Sequence, residues 1–301
     1  MRTPRRALAL AIFVLLFFAT VSIASPAQTL TSLASFTGGN GATPQAPLVQ
    51  GADGSFYGTT SRGGTDNSGT IYKINPSGTL TTLFSFCYPL NCHSGAYPSA
   101  GLLLGADGAF YGTTQGGGGG YSGTVFKITT RGVHTTLYTF CSRANCADGW
   151  RPVGGLVQGS DGDLYGTTYY GGAHGSGSIF RMTTRGAMVW LYSFCSAPYC
   201  PDGKSPAATL IQGTDGNFYG TTQLGGGNGE GTAFKITPAG VLTTLSTSMC
   251  RRRRTGQRRG ASYRRQFLRY NFLGARNQPA RYRLQDYSSG HNHVAIPFFR
   301  T

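Results

Sequence analysis

The chain has 301 residues, 47 of them glycine, and a formal net charge of +16 although only 12% of its residues are charged. So much glycine excludes a helical solenoid, because glycine in a helix interior costs about 1 kcal/mol. After the first 27 residues no amphipathic segment of helical period is present,.

Residues 1–27 read as a secretory signal. Arg2, Arg5 and Arg6 precede an uncharged apolar run from Ala7 to Ile23, and small residues at Ser22, Ala24, Ser25 and Ala27 offer cleavage sites,. The alternative is an uncleaved anchor, for which 17 residues is a short span,. No later stretch is apolar enough to cross a bilayer, so the mature protein is expected to be secreted or held at the cell surface without a membrane span.

Residues 28–249 repeat at a step of 54. Tyr-Gly-Thr-Thr begins at Tyr57, Tyr111, Tyr165 and Tyr219, and an Asp-Gly pair sits four residues ahead each time, at Asp53-Gly54, Asp107-Gly108, Asp161-Gly162 and Asp215-Gly216. A second motif keeps the step: Ile71–Ile74, Val125–Ile128, Ile179–Met182 and Ala233–Ile236, with Lys73, Lys127, Arg181 and Lys235 third in each. Fixed-period self-similarity points to a repeat architecture. Each unit reads as four short strands. In the second unit these are 101–104, 110–114, 124–129 and 134–140, joined at Asp107-Gly108, Gly116–Gly120 and Arg131-Gly132,. Asp-Gly predicts a tight hairpin with positive φ. Alternation in Val125–Ile128 predicts one buried face carrying Phe126 and Ile128, with Lys127 opposite,.

Four-stranded units of this length predict an all-β, β-propeller-like array of blades; a β-solenoid is the alternative, but its coils are usually shorter. Residues 29–36 resemble the fourth strand of a unit and are placed to complete the last blade of a ring.

Three Cys-x4-Cys pairs follow the same step: Cys87/Cys92, Cys141/Cys146 and Cys195/Cys200. In an exported chain they predict local disulfides. Zinc is the alternative, but no histidine recurs with the period to complete a ligand set,. The first unit lacks the cysteines and four loop residues, so the bridge is expected to staple an optional loop.

The strings Asp-Gly-x-Phe-Tyr-Gly-Thr-Thr, Gly-Thr-x-Phe-Lys-Ile-Thr and Thr-Thr-Leu-Tyr-Ser-Phe resemble the GloVer (Gloeobacter/Verrucomicrobia-type) tandem repeat over residues 29–249. The resemblance implies an exported bacterial protein of β-propeller form. It implies no catalytic residues.

Residues 250–301 break the pattern. Thirteen of the chain's 26 basic residues lie there against one acid, whereas 28–249 holds ten against nine. Arg251–Arg254 with Tyr263, Phe267 and Tyr270 would suit a polyanion arm,. A different reading accounts for more. Codons permitted for Arg265–Leu273, read one base later, spell Gly-Asn-Phe-Tyr-Gly-Thr-Thr-Ser-Trp, and those for Leu284–Ile296 spell Phe-Lys-Ile-Thr-Pro-Ala-Gly-Thr-Ile-Thr-Leu-Leu-Tyr. The expectation is a frame slip between about Thr247 and Cys250, with 250–301 an out-of-frame fifth repeat. As written, that tail is expected to be disordered or poorly packed, leaving an open arc of four units and no nucleic-acid partner.

The sequence offers no strong catalytic, cofactor or metal constellation. Each Asp of Asp-Gly is read as a turn residue. Gly116–Gly120 lacks the lysine of a phosphate loop, and His174 near Ser176 lacks a nucleophile elbow's glycine spacing,. The four tyrosines are read as packing residues before an aromatic binding ring, and the four cations as a solvated strand face before a ring for acidic glycans. Three functions are left: a non-catalytic extracellular binding or scaffold module for a glycan or protein, a structural or adhesive surface repeat, and a propeller lyase or hydrolase. The uniformity of the units favours the first, since an enzyme needs one blade that departs chemically from the rest.

Overall fold

The computed structural model describes residues 30–87 and 93–247. The signal segment 1–27, Cys92 and the tail 250–301 lie outside them. The chain divides into two units, Met1–Arg251 and Arg252–Thr301, and the described residues all belong to the first.

Four antiparallel sheets follow one another, the first three in simple up-and-down order. The first blade is β1 (Val49–Gln50), β2 (Phe56–Thr60), β3 (Thr70–Ile74) and β4 (Leu80–Ser85); the second is β5 (Leu103–Leu104), β6 (Phe110–Thr114), β7 (Thr124–Ile128) and β8 (His134–Thr139). The third is β9 (Val157–Gln158), β10 (Leu164–Thr168), β11 (Ser178–Met182) and β12 (Met188–Ser193). The fourth adds a short strand β13 (Lys204–Pro206) to β14 (Ile211–Gln212), β15 (Phe218–Leu224), β16 (Thr232–Ile236) and β17 (Leu242–Thr247). This is the β-propeller-like, all-β array the period predicts. The second blade's strands begin and end within two residues of the predicted ones.

The hairpin differs in detail from the expectation. Only the glycine takes a positive φ (Gly54 at 74°, Gly108 at 75°). Gly54 N–H donates to the Gly51 carbonyl and Gly51 N–H to the Ser55 carbonyl, which makes a three-residue loop closed by a left-handed residue,. The aspartate keeps an ordinary backbone and uses its carboxylate instead: Asp53 Oδ1 accepts from Ser55 N–H at 3.1 Å.

Burial also differs. An inner blade is covered on both faces, so consecutive residues are buried together. Phe126 and Ile128 pack with Tyr57, Ile71 and Phe86 of the first blade. Val125, on the other face, packs with Leu164, Phe180 and Met182 of the third. A third cluster joins Tyr165, Ile179 and Phe194 to Leu210, Phe218 and Phe234 of the fourth. Among the described residues no core cluster joins the fourth blade to the first. A hydroxyl pair recurs inside each blade at 2.8–2.9 Å: Thr60–Thr70, Thr114–Thr124, Thr168–Ser178 and Thr222–Thr232. These pairs satisfy polar groups that would otherwise be buried alone.

Residues 30–36 form no strand, yet they stand where the fourth strand of a preceding blade would stand. A Cβ on Gly78 would lie 2.6 Å from the Leu33 carbonyl oxygen, as one on Gly132 would lie 2.9 Å from that of Leu83. Phe36 meets Tyr72 edge-on at 4.9 Å, as Phe86 meets Phe126 at 5.3 Å. The packing is that of a fourth strand; the ladder needs a third strand beside it.

Candidate functional site

The repeated motifs gather at one end of each blade, the end of the Asp-Gly turn. Asp53, Asp107, Asp161 and Asp215 each accept a hydrogen bond from the tyrosine four residues on, Tyr57, Tyr111, Tyr165 and Tyr219, at 2.6–2.9 Å. Lys73 and Lys127 reach Asp53 and Asp107 at 2.7 Å, and Arg181 reaches Asp163 at 3.5 Å. The Lys73 ammonium, with Tyr57 and Ser55 N–H, holds the Asp53 carboxyl down at about 2 against the opposing pull of desolvation. Burial works against ionisation of Asp107, but Lys127 and Tyr111 outweigh it and keep its pKa low. Burial, then the Asp161 carboxylate, pushes the Tyr165 hydroxyl up to about 12. Tyr57, Tyr111 and Tyr165 are fully buried. Lys73, Lys127 and Arg181, weighed above as a cationic ring, thus face carboxylates of their own blades.

The cysteines sit at the opposite end, between blades. Cys141–Cys146 and Cys195–Cys200 are bonded, with Cα atoms 4.0 and 4.1 Å apart. Cys87 is also disulfide-bonded, while Cys92 lies outside the described residues. Two aspartates outside the repeat motifs secure these loops. Asp148 is fully buried and accepts from Tyr138 OH, Ser142 N–H and Ser142 Oγ at 2.7–2.8 Å. Asp202 accepts from Tyr192 OH and Cys195 N–H. The signal for them was Cys-x-Asp-Gly after the second and third pairs.

That same end carries a feature that no repeated side chain marks. In every blade the segment leading into the first strand is bridged to the segment leaving the second: Ala42 to Arg62, Ala96 to Gly116, Trp150 to Tyr170, and β13 to β15 in the fourth blade. The residue after the first bridge position has the same left-handed backbone each time, with φ of 59° at Thr43, 59° at Tyr97, 58° at Arg151 and 58° at Ser205. Left-handed backbone at a non-glycine residue is strained and persists only where its surroundings hold it. The backbone repeats; the side chains do not.

Across the first three blades these positions line a cavity of about 580 Å³, within the size range of ligand pockets. Its walls carry Arg62, Tyr97, Gln115, Tyr121, Trp150 and Arg151, with Thr43, Gln45, Ser61 and Ser99 between them. Among the described residues the lining contains no carboxylate. Arg62 lies over the Tyr97 ring, 5.3 Å from its centroid, a cation–π contact. Arg151 Nε and Nη2 donate to Gln115 Oε1 at 3.4 Å, and Gln115 Nε2 donates to Ser99 Oγ at 2.5 Å. Trp150 packs on Tyr170 at 5.5 Å, yet 43% of the tryptophan and 37% of the tyrosine stay exposed. Among the described residues no group of three His, Cys, Asp or Glu is placed to hold a metal. The arrangement offers flat aromatic faces, two guanidinium forks, two amides and hydroxyls, all directed by a rigid repeat.

No curated protein matches the sequence. Among solved structures the chain is similar to the periplasmic gluconolactonase of Pseudomonas aeruginosa, at 17% identity and a TM-score of 0.40, over 67% of this chain and 56% of that one. It is similar to a luciferin-regenerating enzyme at 13% identity and a TM-score of 0.40, over 64% of this chain and 61% of that one. The chain thus spans about three fifths of their length. The family model described as the Gloeobacter/Verrucomicrobia repeat matches residues 19–147 and 87–263, a span holding all four blades, their Asp-Gly turns and the groove above them; the chain belongs to that repeat family.

Proposed function

We infer that this protein is an exported, non-catalytic binding module that takes acidic glycans in the groove over its first three blades. The observation that carries the reading is the groove's lining: Arg62 and Arg151 stand beside Tyr97, Tyr121 and Trp150, with no acid in the lining among the described residues. Sugar rings present apolar faces that stack on aromatics and hydroxyls that pair with amides. A uronate or sulfate adds an anion that a guanidinium fork meets with two hydrogen bonds. Export agrees with the bonded cysteine pairs, which persist in oxidising compartments,. No helix of the described residues is long and apolar enough to cross a membrane.

The test uses the chain's tryptophans, of which there are two. Trp190→Phe leaves Trp150 as the reporter. Titration with uronic-acid and sulfated oligosaccharides is expected to change its emission, and neutral oligosaccharides to do so at least tenfold more weakly. Arg151→Ala is expected to remove the difference. A panel of acidic glycans that leaves Trp150 emission unchanged, or binding that Arg151→Ala does not weaken, refutes the reading.

A further inference from the structure

Each of the first three blades offers the next one a fixed set of side chains. From the first blade these are Val49, Tyr57, Ile71 and Leu83, and the third offers Val157, Tyr165, Ile179 and Leu191. The tyrosine is the centre of the set: Tyr57 stacks on Phe110 at 4.2 Å and Tyr165 on Phe218 at 3.9 Å, and both are sealed from solvent. The fourth blade presents the same set in the same places, as Ile211, Tyr219, Ala233 and Leu245. There Ile211 is 69% and Leu245 52% exposed, and Tyr219 is only partly buried. This is a blade interface with one side described.

Codons permitted by the sequence can spell the other side one base out of frame, and the match reaches further back than the two hidden motifs. Codons permitted for Met249–Asn271, read from the second base of the Met249 codon, spell Cys-Ala-Asp-Gly-x-x-Pro-x-x-x-Val-Val-Gln-Ala-Thr-Asp-Gly-Asn-Phe-Tyr-Gly-Thr-Thr. That aligns with Cys146–Thr168 residue for residue, with no gap. It includes the Asp-Gly pair, the motif tyrosine and the aspartate that, as Asp148, secures the loop between blades. Its Asn-Phe-Tyr places a phenylalanine where Phe110 and Phe218 stand in their blades. The hidden Phe-Lys-Ile-Thr-Pro-Ala-Gly aligns with Phe234–Gly240. Gly240 is the residue whose Cβ would meet the Leu191 carbonyl at 2.7 Å, so the hidden glycine has its seat at Leu245.

We propose that the open face of the fourth blade, centred on Tyr219, is the docking surface of a fifth blade of this same chain, encoded one base out of frame from Met249 onward. The occupant's phenylalanine covers Tyr219, and its glycine closes on the Leu245 carbonyl.

The experiment compares the full chain as written with the full chain carrying a single-base deletion at the Met249 codon. Nitration by tetranitromethane, read at Tyr219 by mass spectrometry, is expected to proceed in the first and to fall at least tenfold in the second. Tyr219→Ala is expected to lower the Tm of the frame-restored chain as much as Tyr165→Ala does, and to shift that of the chain as written by less than half as much. Four results overturn the proposal. One is genomic codons that do not spell the repeat. Another is a frame-restored chain that aggregates. The third is equal nitration of Tyr219 in both chains. The fourth is protection of Tyr219 in the chain as written by head-to-tail dimerisation, which would make a second copy the occupant.

Discussion

The two ends of each blade obey opposite rules. At the Asp-Gly end the same side chains recur, tyrosine on aspartate with a cation beside them, and they are consumed by one another. At the other end the same backbone recurs with different side chains, Thr43, Tyr97, Arg151 and Ser205, and the first three of these line a cavity. Uniform residues hold the blades up, and the residues that distinguish the blades lie elsewhere, three of them on the cavity wall. Changes at the first end should therefore move stability and leave binding intact, and changes at the second the reverse.

The largest expected effect is at the uniform end. Tyr165→Ala empties a sealed site between two blades and should cost roughly 3–5 kcal/mol, read by chemical denaturation. Glycan binding at temperatures where the variant is folded should not change. A variant that keeps stability but loses binding would reverse the assignment of the two ends.

A second effect lies between the first two blades. His134 stacks on Phe84 at 4.1 Å, and its Nε2 has no hydrogen-bond partner among the described residues. Desolvation lowers its pKa from 6.5 to about 4. The folded state therefore keeps it neutral where the unfolded chain would protonate it. Its contribution is fully present above pH 6.5 and is lost as pH falls from 6.5 towards 4. Between pH 7.5 and 5 the protein should lose about 2 kcal/mol from this group. His134→Leu, the residue that Leu80 and Leu242 supply in sister blades, should abolish that slope in denaturation measured at several pH values. An unchanged slope would mean that another group carries it.

The disulfides rank next. Removing Cys141–Cys146 as a double serine variant should cost about 2 kcal/mol or less, because the loop it closes is short,. The first unit passes between the same positions without cysteines, from Phe36 to Pro44. A loss of folding in the double variant would show that the bridge supports the blade interface itself. The smallest stability effect belongs to the variable end. Trp150→Ala exposes little that is not exposed already and should change stability by under about 1 kcal/mol, while weakening glycan binding at least tenfold in the oligosaccharide titration. A large loss of stability there would place Trp150 among the packing residues.

The fold was legible because its causes are periodic. Tyr-Gly-Thr-Thr and Phe-Lys-Ile mark strands at a fixed step, and the predicted strands of the second unit fall on β5 to β8. Burial on both faces was less legible, because alternation in one strand does not show what covers its second face; Val125 and Phe126 are both buried, each by a different neighbour. The groove could not be found through the period at all. Its residues are the ones that break it, and Thr, Tyr, Arg and Ser carry no local preference for the left-handed backbone they share. The usable signal was negative: positions 43, 97, 151 and 205 sit at one step of the repeat and disagree in chemistry.

That shared backbone has an evolutionary consequence. Four different side chains already occupy one strained conformation without altering the bridge beside it,. The conformation is thus imposed by the scaffold and indifferent to the residue it displays. A single codon change at any of these positions would exchange the displayed chemistry with little disturbance to the blade, and duplication of a blade would add another display position. A lineage built on such repeats can change the chemistry of that surface by drift at a few lead-in residues while its core stays constant.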